Sequence, residues 1–236
     1  MAVQVIFHLN KFLTTLFFIL SAVAHANEYC PKADGLKINI AIGYIDQIPG
    51  DQVVDGLYYS RLKNNLLREC SEEEILCGFT QVSGELFLKN GTTIRLISSS
   101  VSSSNQYNIQ SGDQKVKSAY AQKAFVEMIQ DGDVVFYFGH SRKGGGPDFS
   151  PPMLTKDGKV DYGIYQKKKA GIGLLKQTLS GSKVDLLGLY ACDSEKNFAS
   201  ELIGIHVRFT EGVMNPSTAF NAMVGDLKKV INGDVF

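Results

Sequence analysis

The chain has 236 residues, of which 44% are hydrophobic and 20% are charged. Its 24 Lys and Arg residues balance 24 Asp and Glu residues, so the formal net charge at pH 7 is zero. This length suits one domain with a full hydrophobic core. The balanced charge gives no support to nucleic acid or another polyanion as a partner.

The N-terminal segment has the form of an export signal. Residues 12–20 are mostly apolar, and Ala24 and Ala26 form the Ala-x-Ala pattern that signal peptidase reads. The apolar run is shorter than the roughly 20 residues of a membrane span, although an uncleaved anchor is an open alternative. We therefore expect residues 1–26 to be removed as a signal peptide. Residues 27–236 are then one secreted or periplasmic domain with no stable membrane insertion.

Hydrophobic periodicity predicts that strands and helices alternate along the rest of the chain. The predicted strands cover 36–45, 85–89, 92–98, 134–138, 184–190 and 205–210. The predicted helices cover 53–68, 116–130, 171–179 and 217–231, and another follows Cys192 and ends at Leu202. A start near Tyr162 is an open alternative for the helix at 171–179. The Ser- and Asn-rich segment 98–112 is predicted to be a loop. This alternation indicates a three-layer α/β sandwich with a mostly parallel sheet.

The histidines and the short motifs argue against metal and cofactor chemistry. Only His140 and His206 remain after signal cleavage, and the chain has no Cys-x-x-Cys or His-x-x-x-His spacing that would suit zinc. It also lacks a phosphate-binding P-loop, a Gly-x-Gly-x-x-Gly fingerprint and a Gly-x-Ser-x-Gly elbow. We therefore expect a protein without a metal ion or an organic cofactor.

Four cysteines remain after cleavage, and export permits disulfides among them. Cys70 and Cys77 flank a loop short enough for a disulfide to close. A pair within the first three cysteines leaves one odd thiol as well as Cys192, which lies far along the chain from Cys30. Two disulfides, one of which contains Cys192, are the alternative.

Each of two predicted buried strands is followed by a residue with a reactive side chain. His140 follows the run 134–138, and Cys192 follows the run 184–190. A right-handed crossover would place these strands side by side, so both residues would lie at the carboxyl edge of the sheet, where open α/β sheets carry their sites.

This arrangement suits nucleophilic catalysis. A helix beginning beside Cys192, capped by Asp193 or Ser194, would favour the thiolate through its dipole. His140 would take the thiol proton and later protonate the leaving amine, while backbone N–H groups near Ser141 and Cys192 bind the oxyanion.

The residues Phe136-Tyr137-Phe138-Gly139-His140-Ser141 and Leu187-Gly188-Leu189-Tyr190-Ala191-Cys192-Asp193-Ser194 resemble the two motifs of the caspase-like peptidases. That group includes caspases, gingipains, clostripain and CHAT proteases. The resemblance extends in strand order over about 36–231. It implies a caspase-like fold, a protein or peptide substrate, a Cys192–His140 dyad, and an oxyanion or substrate-binding role for Gly139 and Ser141. Ser141 stands where the family mostly has Gly.

Other interpretations are open at this point. A non-catalytic envelope or secreted binding protein on the same fold would leave Cys192 oxidised or idle, and a thiol oxidoreductase has little support because no second Cys lies near Cys192. Arg142 and Lys143 either favour an acidic substrate residue or are solvated loop charges. His206 is expected to be structural or exposed.

Overall fold

The computed structural model describes residues 35–45, 54–102 and 104–234. The expected signal peptide, its cleavage site and Cys30 lie outside these ranges. Within them, no helix combines the length and the apolar character that crossing a membrane requires.

Seven strands form a single sheet. They are β1 (Lys37–Ile42), β2 (Thr80–Ser83), β3 (Leu86–Lys89), β4 (Thr92–Ser98), β5 (Val134–Phe138), β6 (Leu186–Tyr190) and β7 (Val207–Phe209), in the spatial order β2-β3-β4-β1-β5-β6-β7. The strands β4, β1, β5, β6 and β7 run parallel to one another, whereas β3 is antiparallel to both β2 and β4. The predicted mostly parallel α/β architecture is therefore confirmed.

The described helices lie on both faces of this sheet. They are α1 (Val54–Leu67), α2 (Asn105–Gln110), α3 (Gly112–Asp131), α4 (Tyr162–Lys168), α5 (Ala170–Leu179), α6 (Ser194–Phe198) and α7 (Pro216–Asn232), with 3₁₀ turns at Arg142–Gly144 and Ala199–Glu201.

The core is divided into two apolar layers by the sheet. On one face, the sheet packs against α1 and α7 through residues such as Ile40, Phe136, Leu62, Leu66 and Phe220. On the other face, it packs against α3 and α5 through residues such as Ala41, Val135, Leu189, Phe125 and Leu175. Each fully buried Val, Leu, Ile or Phe side chain contributes roughly 1.5–3 kcal/mol. The central strands β5 and β6 are buried along their whole length, as parallel strands covered on both faces must be.

The segment 98–112 was predicted to be a loop, and this prediction is wrong in part, because it contains α2. The hydroxyl of Ser104 caps this helix by accepting the N–H of Tyr107. The side chain of Asn108 is buried and donates to the Tyr44 hydroxyl and the Ser102 carbonyl. Hydrogen bonds of polar side chains thus anchor the segment. Because no apolar face is needed to hold it, the sequence shows no apolar periodicity there.

A disulfide joins Cys70 and Cys77, as the short loop between them allows. Within the same loop, the Arg68 guanidinium holds Glu74 with contacts of 2.5 and 2.6 Å, and this ion pair lowers the pKa of Glu74 to about 2. The loop lies at the end of α1, away from the edge of the sheet that carries His140 and Cys192.

Candidate active site

His140 and Cys192 follow neighbouring strands at the same height of the sheet. The strands β5 and β6 pair in parallel, with Phe138 opposite Tyr190, and the N–H of Gly139 continues the ladder by donating to the Tyr190 carbonyl at 3.2 Å. His140 and Cys192 each come two residues after that matched pair. Because neighbouring strands lie roughly 4.8 Å apart, the two residues start from adjacent points at the carboxyl edge, as predicted.

Cys192 is a free, half-buried thiol. Cys70 and Cys77 are paired with each other, and the remaining cysteine that could pair with Cys192, Cys30, lies outside the described residues. The S–H group donates to the carbonyl oxygen of Met214 at 3.1 Å, and the N–H of Asp193 donates to Gly212 at 2.7 Å. The segment that follows β7 thus lies against the cysteine and holds its sulfur as a hydrogen-bond donor.

The helix after Cys192 is shorter than predicted. It was expected to run to Leu202 with Asp193 or Ser194 as a side-chain cap, but α6 ends at Phe198 and continues only as a 3₁₀ turn. Asp193 occupies the cap position with a φ of 51° and makes no capping side-chain bond. The predicted cap position is therefore confirmed, although without a side-chain bond, whereas the predicted length is wrong. The thiolate therefore gains little from a helix dipole.

Ser194 has a different role from capping. Its buried hydroxyl donates to the Leu189 carbonyl at 2.7 Å and accepts the N–H of Thr210 at 2.8 Å. The Thr210 hydroxyl in turn contacts the backbone of Ala191. This network ties the turn that carries Cys192 to the end of β7.

The turn that carries His140 is fixed by a buried tyrosine hydroxyl. The Tyr137 oxygen lies 3.1 Å from the carbonyl oxygens of both His140 and Asp148, and it accepts the N–H of Asp148 at 2.9 Å. Burial raises the pKa of Tyr137 far above its ordinary value, so the hydroxyl keeps the proton that it donates.

Gly139 is required by close packing at the same place. A Cβ atom there would overlap the Tyr137 hydroxyl and lie 3.3 Å from the Cα of Gly43. The Gly139 N–H is already engaged with Tyr190. Of the two residues that the resemblance assigned to oxyanion or substrate binding, Ser141 is therefore the better oxyanion candidate, and it is buried directly after His140.

Asn197 joins the two halves of the candidate site, and sequence reasoning missed it. From α6, its side-chain NH₂ group donates to the Ser141 hydroxyl at 3.0 Å and to the Cys192 carbonyl at 3.3 Å. No spacing rule points to this residue, because the contact crosses between two strands. Its position in the turn of chain after Cys192 is the only signal that the sequence carries.

Arg142 is buried, so the interpretation of this residue as a solvated loop charge is wrong. Its side chain is buried, and its Nε donates to Asp148 Oδ2 at 2.8 Å. The guanidinium also lies over the ring of Tyr165. Lys143 is exposed, and its ammonium lies 4.5 Å from the ring centre of Tyr162.

The face of β6 below Cys192 carries another buried polar contact. The Tyr190 hydroxyl donates to Asp226 Oδ2 on α7 at 2.9 Å. Burial and the Asp226 carboxylate raise the pKa of Tyr190 well above its ordinary value. His206, just before β7, is half-buried, and desolvation followed by the Arg208 charge lowers its pKa. Neither group reaches the thiol by a described hydrogen bond.

No group of three His, Cys, Asp or Glu side chains in the described ranges could hold a metal ion. A cavity of about 240 Å³ lies beside the loop that follows His140, between that loop, α4 and α5. Its walls include Asp148, Phe149, Tyr165 and Lys168, but neither His140 nor Cys192. This cavity therefore lies beside the part of the sheet edge that carries His140 and Cys192.

Comparison with protein-family models, with curated proteins and with solved structures gave no significant match to this chain.

Proposed function

We propose that this chain is an exported cysteine endopeptidase of the caspase-like type. Cys192 is the nucleophile and His140 is the general acid and base. The substrate is a protein or peptide, and the chemistry needs neither a metal ion nor an organic cofactor. The observation that carries the proposal is the free Cys192 thiol one strand away from His140, at the same register, on the carboxyl edge of a parallel sheet.

The proposed reaction has two halves. His140 takes the thiol proton, and the sulfur of Cys192 attacks the carbonyl carbon of the scissile peptide bond. The N–H groups of Ser141 and Cys192 stabilise the oxyanion, and His140 gives its proton to the departing amine. Water, deprotonated by His140, then attacks the thioester and releases the acid, which restores the thiol.

The resting contact of the thiol sets a condition on this reaction. The S–H group of Cys192 donates a hydrogen bond to the Met214 carbonyl. A carbonyl oxygen accepts such a bond but is too weak a base to deprotonate the thiol. The sulfur must therefore turn away from Met214 before His140 can deprotonate it. Substrate binding beside the segment after β7 would supply this change.

The same contact supports a second candidate function, a binding protein with an idle thiol. In that case the Met214 carbonyl holds Cys192 permanently as a half-buried hydrogen-bond donor, and His140 serves only to shape the sheet edge. The two functions differ in one measurable property, the reactivity of the thiol and its dependence on His140.

Alkylation by iodoacetamide tests the proposal. The rate at Cys192, mapped by mass spectrometry without reductant, is measured between pH 5 and 9 for the wild type, for His140→Ala and for the control His206→Ala. We expect His140→Ala to slow the reaction at neutral pH by about tenfold or more, because the base that removes the thiol proton is lost. His206→Ala should react as the wild type does.

An equal rate in the wild type and in His140→Ala, at the value of an ordinary exposed thiol, would contradict the peptidase proposal. It would favour the binding protein with an idle Cys192.

A further inference from the structure

We propose that Asn197 is a positioning residue that sets the separation between the His140 turn and Cys192. This inference rests on the proposed function, because it assigns Asn197 a role in bringing the base to the nucleophile. Asn197 touches neither a substrate nor the sulfur in this role. It acts through the Ser141 hydroxyl and the Cys192 carbonyl.

The chemistry of the two acceptors fixes the orientation of the amide. A carbonyl oxygen can only accept a hydrogen bond, so the NH₂ group of Asn197 must face Cys192. The two hydrogens of that group then serve two acceptors, at 3.3 Å on Cys192 and at 3.0 Å on Ser141. A hydroxyl can also donate, so Ser141 could adapt to another partner whereas the Cys192 carbonyl could not.

Two further contacts hold each of these turns to its own surroundings. The Ser141 carbonyl accepts the N–H groups of Gly144 and Gly146 within its own loop. The Cys192 thiol contacts Met214, beyond β7. Asn197 links the residue after His140 directly to Cys192, beyond the sheet hydrogen bond between Gly139 and Tyr190.

Asn197 is itself held firmly enough to serve as a spacer. Its own N–H donates to the Asp193 carbonyl at 2.9 Å, inside the turn that α6 forms. Its backbone lies against Gly144, where an added Cβ would be 3.7 Å from the Asn197 carbonyl oxygen. An amide that bonds to both turns from an anchored backbone can hold the close placement that a nucleophile and its base require.

The substitution Asn197→Asp keeps the size of the side chain and removes its donors. A carboxylate oxygen would then face the Cys192 carbonyl and repel it, while Ser141 could still donate to the carboxylate. Asn197→Ala removes both contacts, and Ser141→Ala removes one. Asn221→Ala, at an exposed position on α7, is the matched control.

The readout is the alkylation rate of Cys192 against pH, with urea unfolding of each variant as a measure of folding. We expect Asn197→Ala and Asn197→Asp to slow alkylation at neutral pH by about tenfold and to move the rise of the rate to higher pH, while both proteins stay folded. Ser141→Ala should have a smaller effect, and Asn221→Ala should match the wild type.

The His140→Ala background separates positioning from general weakening of the fold. If Asn197 acts by placing His140, Asn197→Ala should cause no further slowing when His140 is already absent. Further slowing in that background, or folded Asn197 variants that react at the wild-type rate and pH, would overturn the inference alone. If His140→Ala itself changes nothing, the proposed function fails, and the role of Asn197 fails with it.

Discussion

The buried guanidinium of Arg142 shows how the loop after His140 keeps its shape. The side chain of Arg142 is 1% exposed and that of Asp148 is 14% exposed, and they form a 2.8 Å ion pair. The backbone of Asp148 is bonded to the Tyr137 hydroxyl, which also contacts the His140 carbonyl. The ion pair and the hydroxyl therefore support the turn that presents the proposed base.

Removing the cation should destabilise the protein. In Arg142→Gln, Asp148 keeps a nearly buried charge without its ion-pair partner, and such a loss costs roughly 3 kcal/mol or more. Urea unfolding followed by circular dichroism measures the change. Lys143→Gln, at the exposed neighbouring position, should stay within about 0.5 kcal/mol of the wild type. Equal stability of the two variants would show that the pair does not support the loop.

At the level of single residues, the sequence could name the reacting groups but not their neighbours. Cys192 and His140 stand out because each follows a strongly apolar strand. Asn197, Tyr137 and Met214 do not, because their roles depend on contacts across strands that no local pattern encodes. Arg142 was predicted to be a solvated charge for the same reason, because its burial depends on an ion pair with Asp148 that the sequence does not reveal.

At the level of elements, the strands that are buried on both faces could be predicted and the polar elements could not. β5 and β6 are continuous apolar runs, and their pairing followed from the handedness of crossovers. β2 was missed because all four of its residues are exposed. α2 was missed because hydrogen bonds of Ser104 and Asn108 hold it, and such bonds leave no periodic signal.

The crossover between β5 and β6 contains one helix that was predicted and one that was not clearly predicted. The predicted helix at 171–179 is present as α5, whose residues Ile172, Leu175 and Leu179 are buried. α4, which precedes it, has no buried residue and is separated from α5 by Lys169 in a left-handed conformation. An apolar stripe thus made α5 predictable. The polar sequence of α4 gave no clear point at which the helical segment begins.

For the whole molecule, we predict export followed by cleavage of the signal peptide. Expressed with its full sequence in a bacterium that has a secretion system, the chain should appear outside the cytoplasm with Asn27 as its first residue, because signal peptidase cuts after the Ala24-x-Ala26 pattern. N-terminal sequencing of the exported protein measures this. A membrane-bound product that still begins at Met1 would show an uncleaved anchor.

Proteolysis of an unfolded substrate is the direct test of the proposed peptidase activity. Purified protein is incubated with casein near neutral pH, and new peptide termini are mapped by mass spectrometry for the wild type, Cys192→Ser and His140→Ala. We expect the wild type to generate discrete cuts that both variants fail to produce, because the dyad is needed for attack and for protonation of the leaving amine. Casein left intact by the wild type, or cut equally by Cys192→Ser, would contradict the proposed peptidase activity.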